Sequence, residues 1–246
     1  MSYHKLKIHK HNINSIFKIQ EEFYEYVDAV ATKNPVMAVQ ELSDLYGCIE
    51  NEVVKYGMSI DDLKVMSDLT KSVFNSGVRK PLGFIEYLKD NCDYIKSFGL
   101  GFVQVKCVDI NYNFYSDKLE KFSDYEAPHN HQHDFVSEVI KGILHEKIYE
   151  VSKGEKIGYC GCGDTSKEIR FDSKFLTEIN HKQGEYYLRL RDEYHSVSAS
   201  HGTVTKLCKI GDKANAFVLG EKTNQQFESE YGVEELWDIV EDVWNV

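Results

Sequence analysis

The hydrophobic pattern of this 246-residue chain changes from a helical to a strand period near residue 100, and this change constrains the fold more than any other feature. Between residues 13 and 80, apolar residues recur three and four positions apart, which is typical of amphipathic helices. Asn34-Pro35 separates the first two helices, because asparagine caps a helix and proline suits its first turn. Pro81 ends the helical pattern. We therefore predict an all-α helical bundle over residues 1–80.

After residue 100, apolar and polar residues alternate as they do in half-buried strands. Val103, Val105 and Cys107 point to one side of such a strand, between Gln104 and Lys106. Further short strands are expected at 135–140, 144–151, 185–190, 204–210 and 216–219. Many short strands with glycine turns favour an antiparallel β-barrel or jelly roll over residues 101–246. An amphipathic helix at 233–243 closes the chain.

The predicted fold class is therefore multidomain α + β, with the helical bundle first and the β-barrel second. Residues 81–100 lie between them and contain many aromatic side chains, so they are too apolar for a flexible linker of the Gly/Ser type. We expect this segment to be a packed connector.

Composition and charge narrow the class of function. The net charge of −11 argues against broad binding to nucleic acid. No apolar run approaches the ~20 residues of a membrane span, and the N-terminus lacks the apolar core of a signal peptide. The sequence thus predicts a cytoplasmic protein without nucleic-acid or membrane partners.

Two pairs of carboxylates stand at helical spacing in the first two helices. Glu22 and Glu25 are three residues apart, as are Glu41 and Asp44, so each pair lies on one helix face. Two such faces turned toward each other would supply the oxygen ligands that Mg²⁺ prefers. The alternative is a solvated acidic face, since Glu41 and Asp44 lie opposite the apolar stripe of the second helix. This stripe consists of Val39, Leu42, Tyr46, Ile49, Val53 and Tyr56.

This part of the chain resembles the MazG-like, all-α nucleotide pyrophosphohydrolases of phages and bacteria. The resemblance covers about residues 15–80 and depends on the ExxE and ExxD motifs. It implies Mg²⁺-dependent cleavage of a nucleoside triphosphate to the monophosphate and pyrophosphate. The metal-binding and catalytic residues would be Glu22, Glu25, Glu41 and Asp44. Glu25 or Glu41 would be the base, and the chain would form a homo-oligomer through its helical domain, in the host cytoplasm if phage-encoded.

The third predicted helix carries residues that suit a phosphate. Lys64, Asp68 and Lys71 share one side of the helix, and Arg79 follows it. Lysine and arginine donate to phosphate oxygens, which makes this set a candidate substrate-binding group. The alternative is an exposed Lys–Asp–Lys ladder.

A histidine-rich segment begins the barrel. His129, His131 and His133 alternate along the chain, and His195 lies far downstream. Histidines two residues apart on a strand point to the same side, so two of them and a distant third could hold one metal ion. The alternative is an exposed histidine-rich loop.

The segment and the later Tyr194-His195-Ser196-Val197 resemble the cupin superfamily over about residues 100–220. One register takes His131, His133 and Glu138 as ligands. It leaves fewer residues between Glu138 and Gly142 than the cupin pattern has. The other takes His129 and His131, and strand parity favours it because Glu138 faces away from Phe135. We therefore predict a three-histidine site of His129, His131 and His195 without the glutamate ligand, holding Fe²⁺, Ni²⁺ or Zn²⁺.

The predicted function is a Mg²⁺-dependent nucleoside triphosphate pyrophosphohydrolase with an accessory cupin-like domain. Two alternatives remain at this point. One is a three-histidine cupin metalloenzyme of the non-haem iron dioxygenase type with a structural helical part. The other is a non-enzymatic nucleotide sensor.

Overall fold

The computed structural model describes residues 4–75, 83–119, 121, 127–160, 168–211, 213–219 and 231–246. The chain divides into two compact units, Met1–Tyr87 and Leu88–Val246. The described helices are α1 (Phe17–Ala31), α2 (Pro35–Lys55), α3 (Ile60–Asn75), α4 (Phe84–Asn91) and α5 (Val233–Asn245). The described strands are β1 (Tyr94–Phe98), β2 (Phe102–Cys107), β3 (Ile110–Tyr115), β4 (Asp134–Lys141), β5 (Ile143–Cys160), β6 (Glu168–Lys182), β7 (Tyr186–Arg189), β8 (Tyr194–Ala199), β9 (Val204–Ile210) and β10 (Phe217–Leu219).

In the first unit, α1 and α2 pack together with their acidic sides inward. The side chain of Asn34 accepts a hydrogen bond from the Met37 N–H at 3.2 Å and caps α2, as its position before Pro35 predicts. The buried acidic residues, here called the acidic cluster, are Glu21, Glu22, Glu25, Asp28 and Glu41. Much of the apolar stripe predicted along α2 faces outward instead, with Val39 68% exposed and Leu42 45% exposed, although Val53 is buried.

The predicted N-terminal helical bundle is wrong. Helix α3 has no buried residue among those described, and only Ile60 and Leu63 are even half-buried. A bundle needs apolar faces from all of its helices in one core. Among the described residues, α1 and α2 pack closely whereas α3 contacts α2 only slightly, and much of the apolar surface predicted to form that core is exposed. Apart from these helices, the described structure is mostly β-sheet.

The second unit contains two antiparallel sheets. Six strands form one sheet in the order β1-β2-β3-β9-β4-β7. The other has the order β10-β5-β6, and β8 also pairs with β5. Their facing sides share one core, which contains Phe102, Tyr115, Phe135, Val139 and Tyr187 from the first sheet and Leu144, Val197 and Ala199 from the second. The predicted connector falls partly on α4 and on β1, which is the edge strand of the first sheet.

Helix α5 packs beside β1, β2 and β3 on the other face of the six-stranded sheet. It buries Leu236, Ile239, Val240 and Val243. The Lys141 ammonium donates to the last carbonyls of this helix, to Val243 O at 3.2 Å and to Trp244 O at 2.7 Å. A cation there also complements the negative end of the helix dipole. Among the described residues, no helix has the length and apolar composition that a membrane span needs.

Gly142, in the tight turn between β4 and β5, provides a test of this packing. Its φ is +79°, and a Cβ there would lie 2.9 Å from the Thr203 Cα atom. Gly184 has φ +81° with nothing within 4 Å of such a Cβ. Both Gly→Ala variants carry the cost of a left-handed backbone, but only Gly142→Ala also forces two chain segments apart. We expect Gly142→Ala to lower the free energy of unfolding by about 1–3 kcal/mol more than Gly184→Ala does, measured by urea denaturation. Equal losses would show that Thr203 moves away freely.

Candidate metal centre

Backbone hydrogen bonds hold two of the candidate histidines side by side. The His129 N–H donates to His195 O at 2.8 Å, and the His195 N–H donates to His129 O at 2.9 Å. The side chain of Asn130, which is buried, donates to Arg191 O at 2.9 Å and accepts from the Phe217 N–H at 2.5 Å. The segment before β4 is therefore fixed on both sides, although it is not itself a strand.

The rings of His129, His131 and His195, here called the histidine group, converge on one point. Their candidate ligand nitrogens all lie within 4.8 Å of one another. The Nε2 atoms of His131 and His195 are 2.8 Å apart, and His195 is 2% exposed. The structure thus brings together the three histidines predicted from the sequence.

A buried carboxylate orients His195 from behind. Glu146 on β5 is fully buried, and its Oε1 atom accepts a hydrogen bond from His195 Nδ1 at 2.5 Å. Arg189 donates to both carboxylate oxygens, at 2.7 Å from Nε and 2.5 Å from Nη2. His181 Nε2 lies 2.7 Å from Oε2. Glu146 therefore joins β6, β7 and β8 to β5 at one point.

These contacts determine the charges at the site. Burial alone would raise the pKa of Glu146, but hydrogen bonds from His181, His195 and Arg189 hold that pKa far below its ordinary value. Burial lowers the pKa of His195 to about 4, even beside this carboxylate. Burial, together with His129 and His195, also holds the pKa of His131 well below its usual range. His131 and His195 are thus neutral near pH 7, the state in which imidazole binds metals.

The hydrogen bonds also indicate which ring nitrogen carries the proton. A carboxylate accepts only, so His195 carries its proton on Nδ1 and directs the lone pair of Nε2 toward His131. His129 Nδ1 lies 2.9 Å from Ala127 O, a carbonyl that likewise only accepts, so this contact places a proton on His129 Nδ1. The donor set therefore fits a transition metal that prefers imidazole, with an outer carboxylate orienting one ligand.

Two neighbouring candidates lie outside this group. His133 Nδ1 is 3.2 Å from Gly211 O and has turned away. Glu138 pairs in register with Tyr186 and Lys206, on the opposite face of β4 from Phe135. Within the described part of the chain, the histidine group contains no carboxylate ligand.

The acids predicted to bind Mg²⁺ also lie close together, but lysine side chains of the same chain form ion pairs with them. Oxygens of Glu22, Glu41 and Asp44 lie within 4.8 Å of one another. Lys18 Nζ is 2.5 Å from Glu22 and from Glu21. Lys10 forms an ion pair with Glu25, and His4 Nε2 lies 3.5 Å from Glu25 and 3.7 Å from Glu41. A metal ion would have to displace these partners, so the structure does not support the predicted Mg²⁺ site or a pyrophosphohydrolase.

The residues predicted to bind the substrate phosphate are spread along α3. Lys64, Asp68 and Lys71 are exposed, and the ion pair that Lys71 makes is with Asp68, at 3.5 Å. Within the described residues, none of the three pairs with the acidic cluster. Arg79 lies outside the described residues.

Sequence analysis missed the residues behind the histidine group, namely Glu146, His181 and Arg189. A signal for Glu146 was present, because alternation along the predicted strand at 144–151 puts it on the same side as the buried Leu144. An acidic residue on the core face of a strand requires partners. No comparable signal identifies His181 or Arg189.

Replacing Glu146 tests whether its contacts stabilise the fold. Glu146→Gln leaves Arg189 without its buried counter-charge, and breaking such a pair costs about 3–5 kcal/mol, so we expect a loss of about 3 kcal/mol in the free energy of unfolding at pH 7. Because the pKa of the carboxylate is depressed in the folded protein, its contribution is present above its ordinary pKa of 4.5 and is lost as the pH falls below that value. The difference between wild type and variant should therefore shrink from pH 7 to pH 3 in urea denaturation. Glu150→Gln, at an exposed position on the same strand, is the control. It should change neither the free energy of unfolding at pH 7 nor the dependence of that free energy on pH.

Neither protein-family models nor curated proteins give a match to this chain. Solved structures similar to this chain include a hydroquinone 1,2-dioxygenase, PnpCD, in complex with Cd²⁺ and 4-hydroxybenzonitrile. The match has 16% sequence identity and a TM-score of 0.29, and it covers 51% of this chain and 69% of that chain. A hydroquinone 1,2-dioxygenase from Sphingomonas sp. TTNP3 has 8% identity, 44% and 62% coverage, and a TM-score of 0.27. The hydroxypropylphosphonic acid epoxidase of S. wedmorenis has 11% identity, 77% and 94% coverage, and a TM-score of 0.25. Because the identities and TM-scores are this low, the function has to be inferred from the chain's own residues.

Proposed function

We propose that this protein is a mononuclear non-haem metalloenzyme of the dioxygenase type, with His129, His131 and His195 as the ligands of Fe²⁺. One observation carries the proposal. Buried Glu146 holds the Nδ1 proton of His195 and thereby aims its Nε2 lone pair at a point 2.8 Å from His131 Nε2. Two neutral imidazoles with facing nitrogens are stabilised by a shared proton or by a cation between them.

Glu146 would hold His195 in the orientation that metal binding requires. The ion pair with Arg189 compensates the carboxylate charge in the protein interior. Glu146 therefore stays ionised while it accepts the hydrogen bond from His195. An outer-shell carboxylate of this kind fixes the ring orientation and makes the coordinating nitrogen more basic. The metal site and the fold would thus depend on the same buried ion pair.

Phe135 closes one side of the histidine group. Its ring centroid lies 4.5 Å from that of His131 and 5.8 Å from that of His195, and the residue is 1% exposed. A hydrocarbon wall excludes water from that side and strengthens electrostatic interactions at the metal position. Substrate would therefore approach from another side.

The donor set supports oxidation chemistry. Three imidazole ligands leave coordination positions open for a substrate, as in other three-histidine catalytic sites. A bound ferrous ion would supply the one-electron chemistry by which O₂ reacts with an organic molecule. The HxH and YHSV motifs of this chain resemble those of the cupin superfamily, which includes three-histidine members similar to thiol dioxygenases, and this resemblance favours iron.

Metal content tests the ligand assignment. We expect the purified protein, loaded anaerobically with Fe²⁺, to retain about one ion per chain by elemental analysis. His131→Ala should weaken metal binding by more than ~100-fold, because loss of an outer-shell partner alone costs about 10–100-fold. His133→Ala removes a nearby histidine outside the group and should retain the ion. Equal metal content in the two variants would contradict the assignment.

Oxygen consumption tests the chemistry separately. The Fe²⁺-loaded protein should consume O₂ with a subset of small organic acids, phenols and thiols, whereas the Zn²⁺-loaded protein and His131→Ala should not. Stoichiometric metal binding without any O₂ consumption over a broad panel would keep the metal centre but reject the oxygenase function.

A further inference from the structure

The inner face of the six-stranded sheet becomes cationic next to the histidine group. Lys209 on β9 pairs in register with Phe135, whose ring contacts His131. Lys106 on β2 pairs with Asn111 on β3, and Asn111 pairs with Leu207 on β9. Because residues paired in register point to the same side of a sheet, Lys106, Asn111 and Lys209 share the face that carries Phe135.

The described part of the chain places no carboxylate in an ion pair with the lysines on this face. In the part of the chain that the structure describes, Lys96, Lys106 and Lys209 have no carboxylate within ion-pair distance. Lys96 and Lys106 instead lie over the ring of Tyr94, at 5.3 and 5.5 Å from its centroid. Burial and the charges of Lys106, Lys213 and Lys96 lower the pKa of Lys209, and only the nearby Asp109 opposes them. On a chain with a net charge of −11, this is a local reversal of the field.

Among the described residues, none donates a hydrogen bond to the side-chain oxygen of Asn111, which lies between the lysines. The residue itself is 7% exposed. The neighbouring polar side chains are satisfied: Gln104 donates to Asn113 at 2.9 Å, and Asn113 donates to Thr205 Oγ1 at 3.3 Å. A buried amide oxygen without a donor is uncommon in native proteins and calls for a partner. Its position therefore suggests a ligand that brings both an anion and a donor.

We propose that Lys106, Asn111 and Lys209 form a subsite for a small organic acid that also carries a hydroxyl or amine next to its anionic group. The lysines bind the anion, and Asn111 Oδ1 accepts from the hydroxyl or amine. The subsite lies on the same face as Phe135, so the rest of the substrate extends toward the histidine group. As a substrate assignment, this inference rests on the proposed metal centre, but binding of the acid itself does not need the metal.

The test uses the full chain, freed of metal by dialysis, and three probes of similar size. Glycolate carries the anion and the hydroxyl, acetate lacks the hydroxyl, and glycolamide lacks the charge. NMR-monitored titration should give glycolate the highest affinity, ahead of glycolamide by about tenfold or more, which corresponds to ~1.4 kcal/mol. Lys209→Met should remove most of this difference, and Lys209→Gln serves as a second variant if the first does not fold.

Two further variants sharpen the result. Lys206→Met removes a half-buried lysine from the same strand but from the opposite face, and it should leave glycolate affinity unchanged. Asn111→Ala should abolish the preference for glycolate over acetate while keeping the preference for an anion.

The outcomes separate this inference from the metal centre. Equal affinities for glycolate and glycolamide, or equal effects of Lys209→Met and Lys206→Met, would overturn the subsite even if the protein binds Fe²⁺. Lysine-dependent glycolate binding in a protein that retains no metal would keep the subsite and reject the metal centre.

Discussion

The second unit, Leu88–Val246, depends on the hydrogen bonds and the ion pair that the buried carboxylate of Glu146 makes. A fully buried anion is costly unless every acceptor position is used, and here two histidines and one arginine supply the donors. These donors come from three different strands, so the carboxylate fixes their relative position as well as its own charge. The orientation of His195 follows from this arrangement, because turning its ring would remove one of the donors to the buried Oε1 atom of Glu146.

The two clusters of ionisable residues illustrate opposite solutions to burial. In the acidic cluster of α1 and α2, the chain's own Lys10 and Lys18 approach the carboxylates and offset their charge. In the histidine group, His131 and His195 are kept neutral and the counter-charge lies one layer farther out, on Glu146. Lysines of the chain contact the carboxylates of the acidic cluster, whereas the Nε2 atoms of His131 and His195 lie 2.8 Å apart and can share a proton or a bound ion. This difference favours the histidines as the functional centre.

Local patterns predicted the strands better than they predicted the helical unit. The expected strand at 204–210 is β9, since period-2 alternation with a buried face reports the local structure directly. The helices α1 and α2 were also recognisable, but their periodicity could not tell which face is buried, and the acidic side proved to be the inner one. The histidine group was predictable because its spacing carries chemistry. Among its supports, Glu146 left a signal in the strand alternation, but His181 and Arg189 did not, because they lie 35 and 43 residues from Glu146.

The direct pairing of the histidine segments also has a consequence for the order in which the protein folds. His131 and His195 are 64 residues apart in the chain, and the strands that join them include the long β5 and β6 hairpin. Closing so large a loop is entropically costly, so contacts of this kind form late in folding. A nascent chain would therefore expose its histidines separately, and the three nitrogens would come together only once both sheets have formed. In the proposed metalloenzyme, metal selection would then be a property of the folded sheets, not of the order in which ions meet the growing chain.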